Sequence, residues 1–241
     1  MSSTTTAPPP GPPPKITYTL AVCLYPQFGT LDYQGPVEIL STFSAHSREN
    51  FGFVLDKFPD SAIEAEFISH SLDAVQPFVG PKVLPTGTYK GAMDEGKQYD
   101  IIFIPGGSAH PGSVDPSLLE FIKNQYPKAK HILAACTGSW ILAGTGLLNG
   151  KKATTNKAMF KVVEENTKDL NITWVPKARW VITDDKKIWT SSGVTAGMDL
   201  ANAFMEYFVG KEFAYEACKL SEYTPRGEDE DEWAAVHGLV V

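Results

Sequence analysis

The chain has 241 residues, of which 43% are hydrophobic and 20% are charged, which is enough for one α/β domain with a sizeable core. Its formal net charge of -7 argues against nucleic acid or an anionic membrane surface as a partner. No apolar run approaches the ~20 residues that a membrane-spanning helix needs, so a soluble cytoplasmic protein is predicted.

Residues 1–15, MSSTTTAPPPGPPPK, lack the basic and apolar regions of a signal peptide. Their proline density predicts a disordered, extended tail outside the fold. The cysteines Cys23, Cys136 and Cys218 lie far apart and show neither a CxxC motif nor a zinc-ligand spacing. This pattern is typical of a reducing cytosol and predicts neither a disulfide framework nor a metal site.

Residues 16–225 are predicted to form the folded domain. Three apolar, β-prone runs in its first half predict buried strands: TYTLAVCLY, IEAEFISHS and YDIIFIPGG. Helices are predicted over YQGPVEILSTF and over DPSLLEFIKNQY, the second with Asp115 as N-cap and Pro116 at its first position. The proline- and glycine-rich stretch before YDIIFIPGG predicts short strands and turns.

The second half continues the alternation of strands and helices. HILAA predicts a strand, TGSWILAGTGLL and NKAMFKVVEENTKDL predict helices, and RWVITDDKKIWTSSG predicts a hairpin around Asp184 and Asp185. GVTAGMDLANAFMEYFVG and KEFAYEACKLSEY predict the last two helices. Residues 226–241 contain the run GEDEDE, which predicts an acidic C-terminal segment that forms a solvated face or loop.

This alternation predicts a mostly parallel sheet that is covered by helices on both faces. Right-handed crossovers place the carboxyl ends of the strands at one edge of such a sheet, and binding crevices lie at that edge. The residues that directly follow predicted strands are therefore the candidates for a functional site.

Cys136 lies between a predicted strand and a predicted helix, which is the order of a nucleophile elbow. The helix N-terminus that follows, with its free N–H groups, favours the thiolate form of the sulfur. A lone cysteine is often an inert core residue, but Thr137, Gly138 and Ser139 immediately after Cys136 favour the nucleophile. Gly138 permits a close approach of the backbone.

Asp32 follows the first predicted strand in GTLDYQGP. A carboxylate at this position can act as an acid or base towards a thiol or a substrate atom. It can equally be the N-cap of the helix that follows, and both roles are compatible.

Gly106 and Gly107 close the strand YDIIFIP and can bring backbone N–H groups towards a developing negative charge, although a plain turn explains them as well. Cys23 and Cys218 are most simply core residues. His110 is a loop histidine near a strand end. GGSAHPG does not fit the dinucleotide fingerprint GxGxxG, and no organic cofactor is predicted.

Several motifs together resemble the ThiJ/PfpI branch of the class I glutamine amidotransferase-like superfamily. They are YPQFGTLDYQGPVEIL, YDIIFIPGG, Cys136-Thr137-Gly138-Ser139, LAGTGLLNGKKATTNK and SSGVTAGMDLA, and the similarity extends from Tyr18 to Pro225. The resemblance implies a flavodoxin-like three-layer sandwich and a homodimer. The aspartate of LDxxGP combined with Cys-Thr-Gly-Ser is similar to the isonitrile hydratases of this family.

The resemblance also implies roles for individual residues. Cys136 is the nucleophile, Asp32 the acid or base, and Thr137 supports the site through its hydroxyl or its N–H. The residues implied in binding substrate or stabilising charge are Gly106, Gly107, Gly138 and Asn156. Relatives commonly have a histidine at position 156, and the asparagine of this chain cannot titrate.

The predicted function is hydration of an organic isonitrile to an N-substituted formamide through a covalent thioimidate on Cys136, without metal or cofactor. Two alternatives remain open: a cofactor-free glyoxalase that converts methylglyoxal to lactate, and a redox sensor that uses an exposed, acidic Cys136 thiol. A ligand-sensing module of a transcription regulator is disfavoured, because the chain ends soon after the domain.

Overall fold

The structure is a computed structural model that describes residues 13–55 and 59–240, without the side chains of residues 53–55. Seven strands form the main sheet: β1 (Ile16–Cys23), β2 (Ser61–Ser69), β3 (Gly87–Thr88), β4 (Ile101–Ile104), β5 (His131–Ala134), β8 (Trp180–Thr183) and β9 (Ile188–Ser191). Their order is β3-β2-β1-β4-β5-β9-β8. All neighbours pair in parallel except β8 and β9.

Two short strands, β6 (Lys152–Ala153) and β7 (Thr173–Trp174), form a separate parallel pair. The helices are α1 (Thr30–Ser41), α2 (Ala45–Leu55), α3 (Tyr89–Asp94), α4 (Pro116–Gln125), α5 (Gly138–Ala143), α6 (Phe160–Asn166), α7 (Thr195–Phe208), α8 (Lys211–Ser221) and α9 (Trp233–Val236), with a 3-10 turn at Lys168–Leu170.

Two groups of helices sandwich the sheet, as the sequence pattern predicts. One group consists of α1, α7 and α8, and the other of α3, α4 and α5. Between them, the central strands β4 and β5 are almost wholly buried on both faces, which explains their continuous apolar runs. The predicted three-layer α/β fold with a mostly parallel sheet is confirmed.

Local sequence signals account for several element boundaries. Asp115 caps α4 by accepting a hydrogen bond from the Ser117 N–H at 2.9 Å, and Pro116 is the first helical residue, as predicted. The predicted hairpin turns at Asp184 and Asp185, both with positive φ. The helix predicted from Asn156 begins later, at Phe160, because Asn156 Oδ1 accepts the Met159 N–H at 3.2 Å in a local turn.

The C-terminal segment differs from the prediction of a solvated acidic face. Its residues Glu228, Asp229 and Glu230 are exposed, but the Asp231 side chain is buried and lies 3.6 Å from the buried Lys157 ammonium. Asp231 Oδ1 also accepts the N–H groups of the first residues of α9. KEFAYEACKLSEY is therefore not the final helix, since α9 follows it and is anchored to the domain.

Most of the predicted N-terminal tail, residues 1–12, lies outside the described residues. Within the part of the chain that the structure describes, every helix is too short or too polar to cross a membrane.

Candidate functional site

Four neighbouring strands bring the predicted residues to one edge of the sheet. Asp32 follows β1, Gly106 and Gly107 follow β4, Cys136 follows β5, and Val194 follows β9. The strand order reverses between β1 and β4, because the chain proceeds from β1 to β2 on one side and from β4 to β5 on the other. Crevices form at such a switch point, which explains why the chemistry-bearing residues meet here.

Cys136 occupies a tight elbow between β5 and α5. Its φ is 56°, a left-handed conformation that non-glycine residues rarely adopt and that costs roughly 1–3 kcal/mol. The surroundings hold it there: its N–H donates to the Ser192 carbonyl at 3.1 Å, and its carbonyl accepts the Ser139 hydroxyl at 2.8 Å. A Cβ on Gly138 would lie 2.4 Å from the Ile104 carbonyl oxygen, so the close approach expected at this glycine is present.

The protonation state of Cys136 differs from the expectation of a favoured thiolate. The residue is 5% exposed, and burial together with the negative charge of Asp32 raises the pKa of its thiol to about 12. Backbone N–H groups of Thr137 and Val194 and the Asn156 side chain donate towards the sulfur and lower the pKa, but they do not offset burial. The thiol is therefore neutral at neutral pH and needs a base to become a nucleophile.

Asp32 is placed to be that base. It lies in the first turn of α1, and Gly29 is the N-cap, so the alternative that Asp32 caps the helix is wrong. Burial raises the pKa of the carboxyl to about 6, although the Cys136 thiol and the Val194 N–H donate towards it and lower the pKa. Its Oδ1 atom is buried and has no hydrogen-bond partner among the described residues, which leaves an acceptor free for substrate or water.

Thr137 links the elbow to the end of β4. Its hydroxyl donates to the Gly107 carbonyl at 2.7 Å and accepts the Gly107 N–H at 2.9 Å. The prediction that the Gly107 N–H faces developing charge is therefore wrong, because this donor is already used. Gly106 is needed for space, since a Cβ there would lie 2.4 Å from the Cβ of Cys136.

Sequence reasoning missed Val194, whose N–H donates towards both Cys136 and Asp32. Val194 has φ 38° and ψ -86°, an unusual conformation for a β-branched residue. The run SSGVTAG follows an apolar predicted strand, so it predicts another strand end at the same edge of the sheet. This pattern indicates that residues such as Val194 lie near the site.

A cavity of about 240 Å³ lies beside this site. Asn156, Gly193 and Val194 line it, and two of them, Asn156 and Val194, donate towards the Cys136 sulfur. Trp233 and His237 of the C-terminal segment line it as well. The cavity therefore reaches neighbours of the thiol, although Cys136 itself is not among its lining residues.

The other candidates lie outside this arrangement. Cys23 is fully buried in β1, and burial raises the pKa of its thiol well above the ordinary value. Cys218 is half-buried on α8 and contacts Asn202. His110 is exposed and packs against Trp140. In the described part of the chain, no group of three or more histidine, cysteine or acidic side chains could hold a metal ion.

Fold and site together define an α/β protein with a cysteine at a strand-to-helix elbow and a buried carboxylate beside it. The model of the DJ-1/PfpI family matches residues 20–207. The chain belongs to the DJ-1/PfpI family, as its motifs predict.

Known proteins of two kinds are similar to the chain. It is 29% identical over 203 residues to isonitrile hydratase of Pseudomonas putida, covering 84% of this chain and 77% of the hydratase. It is 28% identical over 129 residues to the HTH-type transcriptional regulator GbdR of Pseudomonas aeruginosa, covering 54% of this chain and 33% of the regulator. The family relatives thus include both an enzyme and a regulator.

Among solved structures, a ThiJ/PfpI family protein from Pseudomonas syringae matches with a TM-score of 0.70 and 26% sequence identity. The match covers 93% of this chain and 85% of that protein.

Proposed function

We propose that the protein hydrates an organic isonitrile to an N-substituted formamide, with Cys136 as nucleophile and Asp32 as general base and acid. The observation that carries the proposal is the pairing of the Cys136 thiol, held in a left-handed elbow between β5 and α5, with the buried carboxylate of Asp32 that faces it. The likeness to isonitrile hydratase over 84% of the chain supports the same reaction.

The reaction begins with proton transfer from the thiol. At neutral pH Asp32 is ionised and Cys136 is protonated, so Asp32 takes the thiol proton while the sulfur forms a bond to the terminal isonitrile carbon. The same proton then passes from Asp32 to that carbon, giving a thioimidate, R–N=CH–S–Cys136. Asp32 is returned to its ionised form.

Water completes the hydration. Asp32 accepts a proton from water as the water oxygen bonds to the thioimidate carbon, and Asp32 passes this proton to the nitrogen. The carbon–sulfur bond then breaks, the hydroxyl loses its proton as it becomes the formamide carbonyl, and Asp32 carries that proton to the departing sulfur. One isonitrile and one water give one formamide, so the cycle needs no oxidant, reductant or cofactor.

The surroundings of Cys136 suit this sequence of steps. The N–H groups of Thr137 and Val194 face the sulfur and stabilise negative charge while it develops there and when it is expelled. The Oδ1 atom of Asp32, which accepts no hydrogen bond from the residues that the structure describes, offers an acceptor for the attacking water. Asn156 takes the place of a titratable histidine and serves as a neutral donor in this mechanism.

The test is an assay of purified protein with a simple alkyl and a simple aryl isonitrile, with formamide measured by NMR or chromatography. We expect turnover by the wild type and by Cys218→Ser, and loss of turnover in Cys136→Ala. If the wild type leaves both isonitriles unconsumed, or if Cys136→Ala consumes them at the wild-type rate, the proposal fails.

A glyoxalase that converts methylglyoxal to lactate is the second candidate. A histidine near the thiol would favour this proton-transfer chemistry, and His237 lines the same cavity as Asn156. Lactate formation measured beside formamide formation separates the two reactions. Lactate from methylglyoxal with no formamide from either isonitrile would select the glyoxalase.

A further inference from the structure

Gly29 is the N-cap residue of α1 and lies three positions before Asp32. Its N–H donates to the Gly106 carbonyl at 2.7 Å, and its carbonyl accepts the Tyr33 N–H at 3.0 Å. The first bond joins the start of α1 to the end of β4, where a Cβ on Gly106 would lie 3.0 Å from the Cys136 sulfur. The Gly29 backbone therefore belongs to the immediate surroundings of the thiol and the carboxylate.

Two common reasons for a glycine do not apply at position 29. Its φ of -77° and ψ of 126° lie in the extended region, which any residue adopts. At the N-cap of a helix, serine, threonine, asparagine and aspartate are preferred because their side chains accept a backbone N–H, and Gly29 provides no such bond. Neither the backbone conformation nor helix capping therefore requires glycine here.

The space beside the Gly29 Cα is filled by the Asp32 side chain. A Cβ at position 29 would overlap Asp32 Oδ2, and it would lie 3.1 Å from Asp32 Cγ and 3.2 Å from Asp32 Cβ. The three nearest atoms all belong to this one side chain, so the carboxyl can turn away while the backbone stays in place. Asp32 is buried and faces the Cys136 thiol, and a turned carboxyl would lose this position.

We propose that Gly29 is a positioning residue, because the absence of a side chain at this position keeps the Asp32 carboxyl against the Cys136 thiol. The consequence for turnover rests on the proposed function. A methyl group at position 29 displaces the carboxyl and leaves the thiol without its base, while the fold is retained. A misplacement of about 1 Å can cost about 100-fold in rate, so one methyl group should be visible in kcat.

The first test compares steady-state kinetics of the wild type, Gly29→Ala and Gly112→Ala with a simple alkyl isonitrile. Gly112 is the matched control, because it is an exposed loop glycine without positive φ, and a Cβ there would come no closer than 3.4 Å to His110. We expect Gly29→Ala to lower kcat about 10- to 100-fold and to leave KM within about threefold of the wild-type value. Gly112→Ala should change neither.

Gly29→Ser separates the position of Asp32 from the start of the helix. Serine adds the same Cβ but is a good N-cap, so it should lose as much kcat as Gly29→Ala if the Cβ displaces the carboxyl. Wild-type kcat in Gly29→Ser beside a reduced kcat in Gly29→Ala would assign the loss to helix capping and overturn the proposal.

The Asp32→Asn background shows whether Gly29 acts through the carboxyl. The base is already missing there, so adding Gly29→Ala should lower kcat by less than about twofold. A reduction of the same size in both backgrounds would show that position 29 acts independently of Asp32, which would contradict the proposal.

Alkylation of Cys136 by iodoacetamide tests the same placement without turnover. The negative charge of Asp32 raises the pKa of the Cys136 thiol, so turning the carboxyl away should lower this pKa and increase the thiolate fraction. We expect Cys136 to react at least about threefold faster in Gly29→Ala than in the wild type between about pH 7 and 10, as mass spectrometry can measure. Asp32→Asn should react faster as well, and the double variant should show no further increase.

The two kinds of measurement separate the assignment of Gly29 from the proposed function. Faster alkylation in Gly29→Ala, with no isonitrile consumed by the wild type, would retain the assignment and remove isonitrile hydration. Wild-type kcat and alkylation rate in Gly29→Ala would overturn the assignment, as would equal changes in Gly112→Ala. A reduced kcat with an unchanged alkylation rate would show that the methyl group obstructs the substrate instead of displacing Asp32, and it would overturn the assignment too.

Discussion

Asp32 and Asp199 are two buried carboxylates on helices that pack against each other, α1 and α7, and their surroundings differ sharply. Asp199 accepts hydrogen bonds from Arg179 Nε, from the Tyr223 hydroxyl and from the Arg226 N–H, and it forms an ion pair with Arg179 Nη2. Asp32 faces a thiol, and one of its oxygens has no hydrogen-bond partner in the described part of the chain. Asp199 therefore serves the fold, whereas Asp32, beside a thiol, has an acceptor that is available for chemistry.

The largest effect is expected at Asp32. Asp32→Asn removes the base that accepts the Cys136 proton, so kcat for isonitrile hydration should fall about 100- to 10,000-fold. The same change removes a carboxylate that is unfavourable to ionise in the folded state, because burial raises its pKa from 3.8 to about 6. The free energy of unfolding at pH 7 should therefore rise by about 1–3 kcal/mol. Steady-state kinetics and urea unfolding measure the two quantities.

Glu38→Gln is the matched control for this substitution, because Glu38 is an exposed carboxylate on the same helix. It should leave both kcat and the free energy of unfolding near the wild-type values. If the Asp32→Asn protein keeps full activity, Asp32 is not the base.

Substitution of Asp199 should have the opposite effect on stability. Asp199→Ala leaves the Arg179 guanidinium buried without its carboxylate and should lower the free energy of unfolding by about 3–5 kcal/mol. Asp94→Ala breaks an exposed ion pair with Lys90 and should cost less than about 1 kcal/mol. Urea unfolding of both variants checks the difference. Equal costs would contradict the structural role of Asp199.

The pH dependence of activity sharpens the same comparison. Asp32 works in its ionised form, and its pKa is raised to about 6, so kcat/KM should be constant above this pH and fall about tenfold per unit below it. Stability should change in the other direction: the folded state binds the Asp32 proton more readily than the unfolded state, so this group's contribution to stability increases as pH falls from about 6 towards 3.8.

A pH profile of kcat/KM between pH 4.5 and 8 is therefore expected to show a plateau at the upper end and one acidic limb that begins near pH 6, because a single carboxyl ionises. Glu38→Gln should retain the limb. A profile without a decrease near pH 6 in the wild type would remove Asp32 from the base role, while leaving its place in the structure unchanged.

The sheet edge could be predicted from the sequence because its signals are local. In each case an apolar, β-prone run is followed by a candidate residue: Asp32, Gly106, or Cys136 with Gly138. The sequence shows this pattern without any knowledge of what packs around it. The pKa of Cys136 could not be predicted in the same way. It depends on burial and on the nearness of Asp32, which lies far earlier in the chain and is brought to the thiol by the order of the strands.

The C-terminal segment was mispredicted for a related reason. Asp231 stands in a run of five acidic residues, Glu228 to Glu232, and nothing local distinguishes it from its exposed neighbours. It is buried because Lys157, from a distant part of the chain, lies beside it. A run of charged residues predicts solvent exposure, and this prediction fails for a single residue of the run that is buried against a distant partner.

The smallest effect on turnover is expected at Thr137. Its hydroxyl supports the elbow, and its backbone N–H faces the Cys136 sulfur. Thr137→Val removes the hydroxyl that joins both the N–H and the carbonyl of Gly107, at a cost of about 1–3 kcal/mol in the free energy of unfolding. The backbone N–H that faces the Cys136 sulfur remains, so kcat should fall less than about tenfold. Thr137→Ser keeps the hydroxyl and should restore most of the lost stability, as urea unfolding can measure. A larger loss of kcat than of stability would instead place the Thr137 hydroxyl in the reaction, beside Asp32, rather than in the support of the elbow.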